Sequence, residues 1–165
     1  MKTIFIIRHA KSSWDDPSLR DIDRPLNKRG LRDAPFMAKL LAAKGLEIDR
    51  LISSPANRAY TTATYFAEAL GVKPSEIQQV AEIYEAYPQQ ILDLVQQLPD
   101  DLQTVLLFGH NPTFTSFVNQ FTTNYLANLP TCGVVQIDGA VESWGDFNTK
   151  TARMVAFHYP KQYFK

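Results

Sequence analysis

Two short apolar runs, each followed by a histidine, are the feature of this sequence that most constrains its fold. Ile4–Ile7 leads directly to Arg8 and His9, and Thr104–Phe108 leads through one glycine to His110. Continuous apolar runs of this length predict strands that are buried on both faces, as in a parallel sheet. Because ligands bind beyond the carboxyl ends of such strands, we expect both histidines to face one crevice.

Composition and charge limit the class of protein and its partners. The chain has 165 residues, of which 45% are hydrophobic and 21% charged, which is typical of a globular chain with one core. We therefore expect residues 1–165 to form a single domain. Seventeen Lys and Arg residues balance seventeen Asp and Glu residues. No overall field therefore favours nucleic acid or an anionic membrane as a partner, and any anion site must be local.

The cysteine content and the amino-terminal segment bear on compartment and cofactors. Cys132 is the one cysteine, so no internal disulfide is expected, and no Cys or His residues have the spacing of zinc ligands. We therefore predict no metal and no cofactor. The first apolar run is too short for a signal peptide, and no apolar run reaches membrane-spanning length. These features favour a cytoplasmic location.

Further helices and strands are predicted around the two histidine-bearing strands. The patterns indicate helices over Leu26–Lys44, Ala56–Leu70, Pro88–Leu98 and Thr113–Asn124, and strands over Leu51–Pro55, Gln79–Ile83, Val134–Ile137 and Arg153–His158. The stretch Gly139–Lys150 between the last two runs predicts a hairpin, so these strands should be antiparallel. The predicted fold is α/β: a three-layer α/β/α sandwich, mainly parallel, with antiparallel C-terminal strands.

The first predicted helix contains a proline. Proline lacks a backbone donor, so we expect the regular part of Leu26–Lys44 to begin near Pro35 or to bend there. The apolar face of this helix is predicted to consist of Leu31, Ala34, Met37, Ala38 and Leu41.

A second arginine is expected at the same end of the sheet. Arg58 falls in the first turn of the helix that follows Ser53–Pro55, so it should point toward Arg8, His9 and His110. Two guanidinium groups and two imidazoles beside helix amino termini suit a tetrahedral dianion, because Arg offers planar pairs of donors to phosphate oxygens. The sequence therefore predicts a phosphoryl site that would also bind free phosphate or sulfate.

Four motifs resemble those of the histidine phosphatase, or phosphoglycerate mutase-like, superfamily. Arg8–Trp14 resembles its Arg-His-Gly-containing signature, and Pro25–Gly30 resembles its Pro-Leu-Thr-x-x-Gly segment. Ser53–Ala63 is similar to its second arginine motif, and Gly109-His110 to its second histidine motif. The motifs occur in the order that the family has.

The resemblance implies a role for each matched residue. His9 would attack phosphorus and form a covalent phosphohistidine intermediate, while Arg8, Arg58 and His110 would bind the phosphoryl group. One ring nitrogen of His9 must be neutral to attack, and the other needs an acceptor, for which we expect a backbone carbonyl. His110 can instead be protonated. The arginines offset charge on the phosphoryl oxygens, so no metal is required.

Four other residues near the motifs bear on substrate binding. Ser12 and Asn111 could donate hydrogen bonds to the phosphoryl group or cap local backbone. Ala10 stands where the family usually has Gly, and Lys11 where an acidic residue is common. These departures from the family pattern bear on which substrate is bound rather than on which residue is the nucleophile. Lys11 could steer anions toward the crevice.

The superfamily usually supplies a glutamate as proton donor to the leaving group. Glu85 stands at the matching position, and Glu82, three residues earlier, is a close second candidate. The proton could also come from the substrate, so the sequence leaves these three sources open.

Within the superfamily, the chain looks most like the SixA-type phosphohistidine phosphatases. The likeness rests on the start Arg8–Trp14, the segments Ile83–Ala86 and Gly109–Pro112, and the short chain. A chain without a long insertion has no large lid, so its site could accept a phosphorylated side chain of another protein. The predicted partner is a phosphocarrier or phosphotransfer domain that carries phosphohistidine. The alternatives are a small-molecule phosphomonoesterase that acts on a small phosphoester, and a non-catalytic phospho-ligand-binding module.

Overall fold

The computed structural model describes residues 1–164, which form a six-stranded sheet covered by α-helices. The strands are β1 (Lys2–Arg8), β2 (Arg50–Ser53), β3 (Gln78–Gln79), β4 (Thr104–Gly109), β5 (Val134–Gly139) and β6 (Ala152–His158). The α-helices are α1 (Lys28–Ala42), α2 (Asn57–Leu70), α3 (Pro88–Gln96) and α4 (Thr113–Asn119). The strand order across the sheet is β3-β2-β4-β1-β5-β6.

The centre of the sheet is the parallel pair β1 and β4. Ile4 lies opposite Val105, and Arg8 lies opposite Gly109. On the other side of β4, β2 and then β3 continue in parallel, whereas β5 and β6 extend the β1 side in antiparallel orientation. The parallel strands are connected through helices, as such crossovers require. The predicted mainly parallel sheet with antiparallel C-terminal strands is confirmed.

Both faces of the sheet are covered, so it is the middle layer of three. Successive residues of β1 point to opposite faces. Ile4 packs in a core with Phe117 of α4, whereas Phe5 packs in a second core with Met37 of α1. A strand with helices on both sides needs apolar residues at every position, which explains the unbroken run in β1. The predicted three-layer α/β/α sandwich is confirmed.

The predicted strand over Gln79–Ile83 is wrong in its extent. Only Gln78–Gln79 pairs with β2, and Ala81–Ile83 forms a 3-10 turn. Val80 donates the last backbone hydrogen bond to β2, and the chain then leaves the sheet. Ile83 is buried from within the turn, so its apolar character did not indicate a strand.

The predicted helix from Thr113 extends less far than expected, ending at Asn119 rather than Asn124. The Asn119 side chain accepts a hydrogen bond from the Leu126 amide and donates one to the Leu126 carbonyl, both at 2.8 Å. An asparagine that bonds backbone in this way competes with continuation of the helix.

Helix α1 begins at Lys28 and continues through Pro35, so the expectation that its regular part begins near the proline is wrong. Its start is fixed by Asn27, whose Oδ1 accepts a hydrogen bond from the Gly30 amide at 2.9 Å. Leu31 is exposed, which differs from the predicted apolar face. The buried stripe consists of Gly30, Asp33, Ala34, Met37, Ala38 and Leu41.

The first turn of α1 lies directly against the backbone that follows the first histidine. A Cβ atom on Gly30 would run into the Lys11 carbonyl oxygen and lie 3.1 Å from the Lys11 amide nitrogen. The same carbonyl accepts a hydrogen bond from the Asn27 amide at 2.9 Å. Next to it, Ser12 forms an antiparallel bridge with Leu26. The start of α1 therefore positions this loop.

We predict that Gly30→Ala lowers the free energy of unfolding by about 1–3 kcal/mol, because the added methyl group meets backbone rather than a movable side chain. Gly145→Ala is the control, since a Cβ atom there would meet only the Ser143 hydroxyl at 3.5 Å. Urea unfolding followed by tryptophan fluorescence measures both variants. Equal stability of the two variants would show that this contact is not tight.

Candidate active site

His9 lies immediately after β1 and is 7% exposed. Its Nδ1 is 2.7 Å from the Ala10 carbonyl oxygen, a backbone acceptor of the kind the sequence predicted. With the proton held on Nδ1, the lone pair of Nε2 is free to act as a nucleophile. Burial, reinforced by the nearby charge of Arg58, lowers the pKa of His9 to about 3, against the opposing effect of the Ala10 hydrogen bond. His9 is therefore neutral at neutral pH.

The backbone around His9 is fixed by hydrogen bonds from three directions. The His9 amide donates to the Gly109 carbonyl at 3.1 Å, and the Cys132 amide donates to the His9 carbonyl at 3.0 Å. The Ala10 amide donates to Thr62 Oγ1 at 3.0 Å, and Thr62 is fully buried on α2. Thr62 belongs to a motif the sequence had singled out, but this supporting role was not predicted.

His110 follows β4 and lies beside His9, with 5.3 Å between the ring centroids. Its Nε2 is 2.8 Å from Ser54 Oγ, whereas its buried Nδ1 has no hydrogen-bond partner within residues 1–164. Burial first, and then the charge of Arg58, lower the pKa of His110 to about 4. The expected protonated form is thus not favoured without a ligand, although a bound dianion would raise this pKa.

Arg8 is held by the loop that precedes β5. Its Nη1 donates to the Leu129 carbonyl at 3.0 Å, and its buried Nε has no partner within residues 1–164. Burial lowers the pKa of Arg8, and the charges of Arg29 and Arg58 lower it further. A guanidinium with a free buried donor near other cations favours an anion as its missing partner.

Arg58, in the first turn of α2, is 7% exposed and is oriented by Asp21. Its Nη1 donates to the Asp21 carbonyl at 2.7 Å and its Nη2 to Asp21 Oδ2 at 3.0 Å. The Tyr84 hydroxyl donates to the same Oδ2 at 2.5 Å, and hydrogen bonds from Tyr84, Arg24 and Arg58 hold the pKa of Asp21 far below its usual range. Sequence analysis did not identify Asp21, Tyr84 or Arg24.

Arg24 connects this group to Ser12. Its guanidinium lies over the Trp14 ring, 3.2 Å from the centroid, and its Nη2 donates to Ser12 Oγ at 2.5 Å. The Ser12 hydroxyl keeps its own proton for another acceptor, so the structure leaves it able to donate to a phosphoryl oxygen. The position of Arg24 just before Pro25 was the one signal that could have drawn attention to it.

Asn111, the other predicted phosphate ligand, is used within its own loop. Its Nδ2 donates to the Leu129 carbonyl at 2.9 Å and to Asn128 Oδ1 at 3.0 Å. Its Oδ1 accepts from both the amide and the hydroxyl of Thr115. These contacts match the capping role that the sequence left open rather than phosphate binding.

The two candidate proton donors are not held in the site. Glu82 and Glu85 are exposed, and neither makes a hydrogen bond or ion pair within the described chain. Glu82 lines a separate cavity together with Gln90 of α3. The residue that faces the histidines from this segment is Tyr84, whose ring meets that of His110 edge-on at 5.6 Å.

Residues 1–164 contain neither a candidate metal site nor a helix that could cross a membrane. No three His, Cys, Asp or Glu side chains in this part of the chain lie together in a way that could hold a metal ion. None of the helices described there is both long enough and apolar enough to cross a membrane.

The arrangement combines one neutral imidazole with a free nitrogen, a second imidazole with a free buried donor position, and two guanidinium groups. Such a set can bind a phosphoryl dianion while the free nitrogen approaches phosphorus. The structure thus brings together Arg8, His9, Arg58 and His110 as the sequence predicted.

Comparison with sequence families and curated proteins points to one group. The model of the histidine phosphatase superfamily, branch 1, matches residues 4–103. An uncharacterized protein of Mycobacterium tuberculosis is 27% identical over 165 residues, which cover 94% of this chain and 100% of the relative. Phosphoserine phosphatase 1 of Hydrogenobacter thermophilus is 27% identical over 118 residues, covering 69% of this chain and 55% of that protein.

Solved structures with the same fold include two SixA proteins. One from Agrobacterium tumefaciens, assigned as a phosphohistidine phosphatase, has a TM-score of 0.81 and 28% identity over 96% of this chain and 98% of its own. The protein histidine phosphatase SixA in complex with tungstate also has a TM-score of 0.81, with 20% identity over 97% of this chain and 98% of its own. At that identity the second likeness concerns the fold.

We predict that the free energy of unfolding falls as the pH is lowered from 6.5 toward 4. Each buried imidazole has an ordinary pKa of 6.5 when unfolded and a lowered pKa when folded, so the unfolded state binds more protons in this range. The stabilisation is therefore complete above pH 6.5 and is lost as the pH falls.

Urea unfolding at several pH values, with wild type and His9→Gln/His110→Gln compared, measures this effect. The double variant should show a shallower dependence on pH, because glutamine does not titrate. Parallel profiles for the two proteins would contradict the lowered pKa values.

Proposed function

This chain belongs to the histidine phosphatase superfamily, and from that premise we propose that it removes phosphoryl groups from phosphohistidine on a protein. The proposed partner is a phosphocarrier or phosphotransfer domain. In this proposal His9 is the nucleophile and forms a covalent phosphohistidine intermediate. The observation that carries it is the free Nε2 of a neutral His9 beside Arg8, Arg58 and His110.

In the first step, the lone pair of His9 Nε2 forms a bond to phosphorus while the bond from phosphorus to the substrate imidazole breaks in line. The electron pair of the broken bond departs on that leaving imidazole. Arg8 and Arg58 offset the charge on the equatorial oxygens. His110 Nδ1, which has no partner in the described chain, is available to donate to one of those oxygens once it carries a proton. The Ser54 hydroxyl at Nε2 is positioned to support that tautomer by donating to it.

In the second step, water attacks phosphorus and the bond to His9 Nε2 breaks. The electron pair of that bond returns to the imidazole, the water proton leaves with phosphate or passes to solvent, and neutral His9 is restored. The Ala10 carbonyl holds the Nδ1 proton through both steps, so the same nitrogen is available for the next cycle.

The arrangement of acids favours a phosphoramidate over a phosphoester. An alkoxide leaving group depends strongly on a proton donor, whereas the imidazole of phosphohistidine leaves with less help. Glu82 and Glu85 are exposed and unbonded within residues 1–164, and Asp21 has a pKa too low to carry a proton at neutral pH. The likeness to the Agrobacterium tumefaciens SixA structure at 28% identity supports the same substrate class.

A small-molecule phosphomonoesterase is the second candidate. It is favoured by the match to phosphoserine phosphatase 1 of Hydrogenobacter thermophilus. Under this alternative, Glu85 or Glu82 would move into the site when an ester binds and would protonate its leaving oxygen.

We predict that the wild type releases phosphate from a phosphotransfer domain that carries phosphohistidine with a higher kcat/KM than from p-nitrophenyl phosphate. His9→Ala should lower both activities by at least roughly a thousandfold, because it removes the nucleophile. His158→Gln is the matched control: this histidine lies in β6 and should leave both activities unchanged.

The comparison separates the candidates. Faster turnover of p-nitrophenyl phosphate than of the phosphoprotein would favour the phosphomonoesterase. Binding of inorganic phosphate without turnover of either substrate would favour a non-catalytic phospho-ligand-binding module. Full activity of His9→Ala would contradict the proposed mechanism for any substrate.

A further inference from the structure

A second cavity, of about 570 Å³, adjoins the phosphoryl site and shares Arg8 with it. Four more basic side chains line this cavity: Lys11, Arg29, Arg32 and Lys161. No acidic residue is among its lining residues. Because the whole chain has equal numbers of basic and acidic residues, this local excess of five cations is a marked departure from the average.

One carboxylate, that of Asp33, lies behind the basic side chains that line the cavity. Its single negative charge does not neutralise them. Asp33 is fully buried and bonds Arg32 at 2.8 Å, with Arg29 Nε 3.5 Å from its other oxygen. A single negative charge therefore serves two of the five cations. Lys11 and Lys161 make no ion pair within residues 1–164.

Two of the arginines that line the cavity are held in place by other side chains, which limits the conformational entropy lost when they bind a ligand. Arg29 Nη2 donates to Thr131 Oγ1 at 3.2 Å, and the Arg32 guanidinium lies over the Phe164 ring, 4.0 Å from its centroid. Five positive charges held close together beside a single carboxylate still repel one another. An anion that enters the cavity relieves this repulsion and gains paired donors from planar guanidinium groups.

We propose that this cavity binds a second anionic group of the substrate, a phosphate or carboxylate located beside the phosphoryl group that is transferred. The cavity volume lies within the range of small-ligand sites and exceeds the space that one phosphate needs. Arg8 lines both sites, so one molecule can present an anion to each of them. As a statement about substrate, this inference rests on the proposed phosphatase function, whereas the binding itself does not.

Isothermal titration calorimetry with non-hydrolysable probes tests the binding. The probes are alkylene bisphosphonates with one to four methylene groups, each compared with the alkyl monophosphonate of equal length. For wild type, the best bisphosphonate should bind at least about tenfold more tightly than its monophosphonate, as one added charge-assisted contact provides. In Arg29→Gln/Lys161→Gln this advantage should fall below about threefold.

The control variant is Lys39→Gln/Lys73→Gln, which removes the same charge from exposed positions outside the cavity. It should keep the wild-type advantage. Equal affinity of wild type for both kinds of probe would overturn the proposal, as would an advantage that persists in Arg29→Gln/Lys161→Gln. Since no turnover is measured, these results are independent of whether the proposed function is correct.

Kinetics with two phosphoramidates then identify the source of the second anion. If acidic side chains of a phosphoprotein occupy the cavity, Arg29→Gln/Lys161→Gln should lower kcat/KM more for a phosphohistidine-bearing protein than for phosphoramidate itself. If the second anion is a phosphate of a small molecule, neither of these two substrates fills the cavity, so the variant should leave both values nearly unchanged while still losing its preference for bisphosphonates.

Discussion

The parallel pairing of β1 with β4 is the constraint on which the rest of this structure depends. Arg8 lies opposite Gly109, so the next residue of each strand is a histidine at the same edge of the sheet. The His9 amide continues the ladder to the Gly109 carbonyl, and the two rings lie 5.3 Å apart. A slip by one residue would reverse the faces of β1 and separate the pair. The buried apolar run therefore fixes the geometry of the site as well as the core.

Burial gives these histidines the protonation state that nucleophilic attack requires. The site is also rich in positive charge. Burial and the nearby positive charge both disfavour a protonated imidazole. Neutral His9 keeps its proton on the nitrogen that faces the Ala10 carbonyl. The guanidinium groups stay charged, and we propose that they provide the attraction for phosphate. In the proposed mechanism the two tasks are separate, with imidazole for attack and arginine for binding, and a bound dianion would then raise the pKa of His110.

Sequence reasoning succeeded where a residue is tied to a regular element and failed where it reaches in from a loop. The strand ends and the first turn of α2 placed the two histidines and Arg58, because strand burial and helix starts have clear patterns. Asp21 and Arg24 come from a polar loop without periodicity, so nothing in the pattern showed that they contact the site. Around Tyr84, a 3-10 turn decides which side chain faces inward, and no strand or helix period could predict that choice.

The central claim is that His9 carries the phosphoryl group during turnover. The most direct test mixes the protein with ³²P-labelled phosphohistidine protein, quenches in alkali within the first turnover, and maps the label by mass spectrometry. We expect an acid-labile, alkali-stable phosphoryl group on His9 that forms and decays at rates compatible with turnover. Label on another residue, or turnover during which His9 is never labelled, would contradict it.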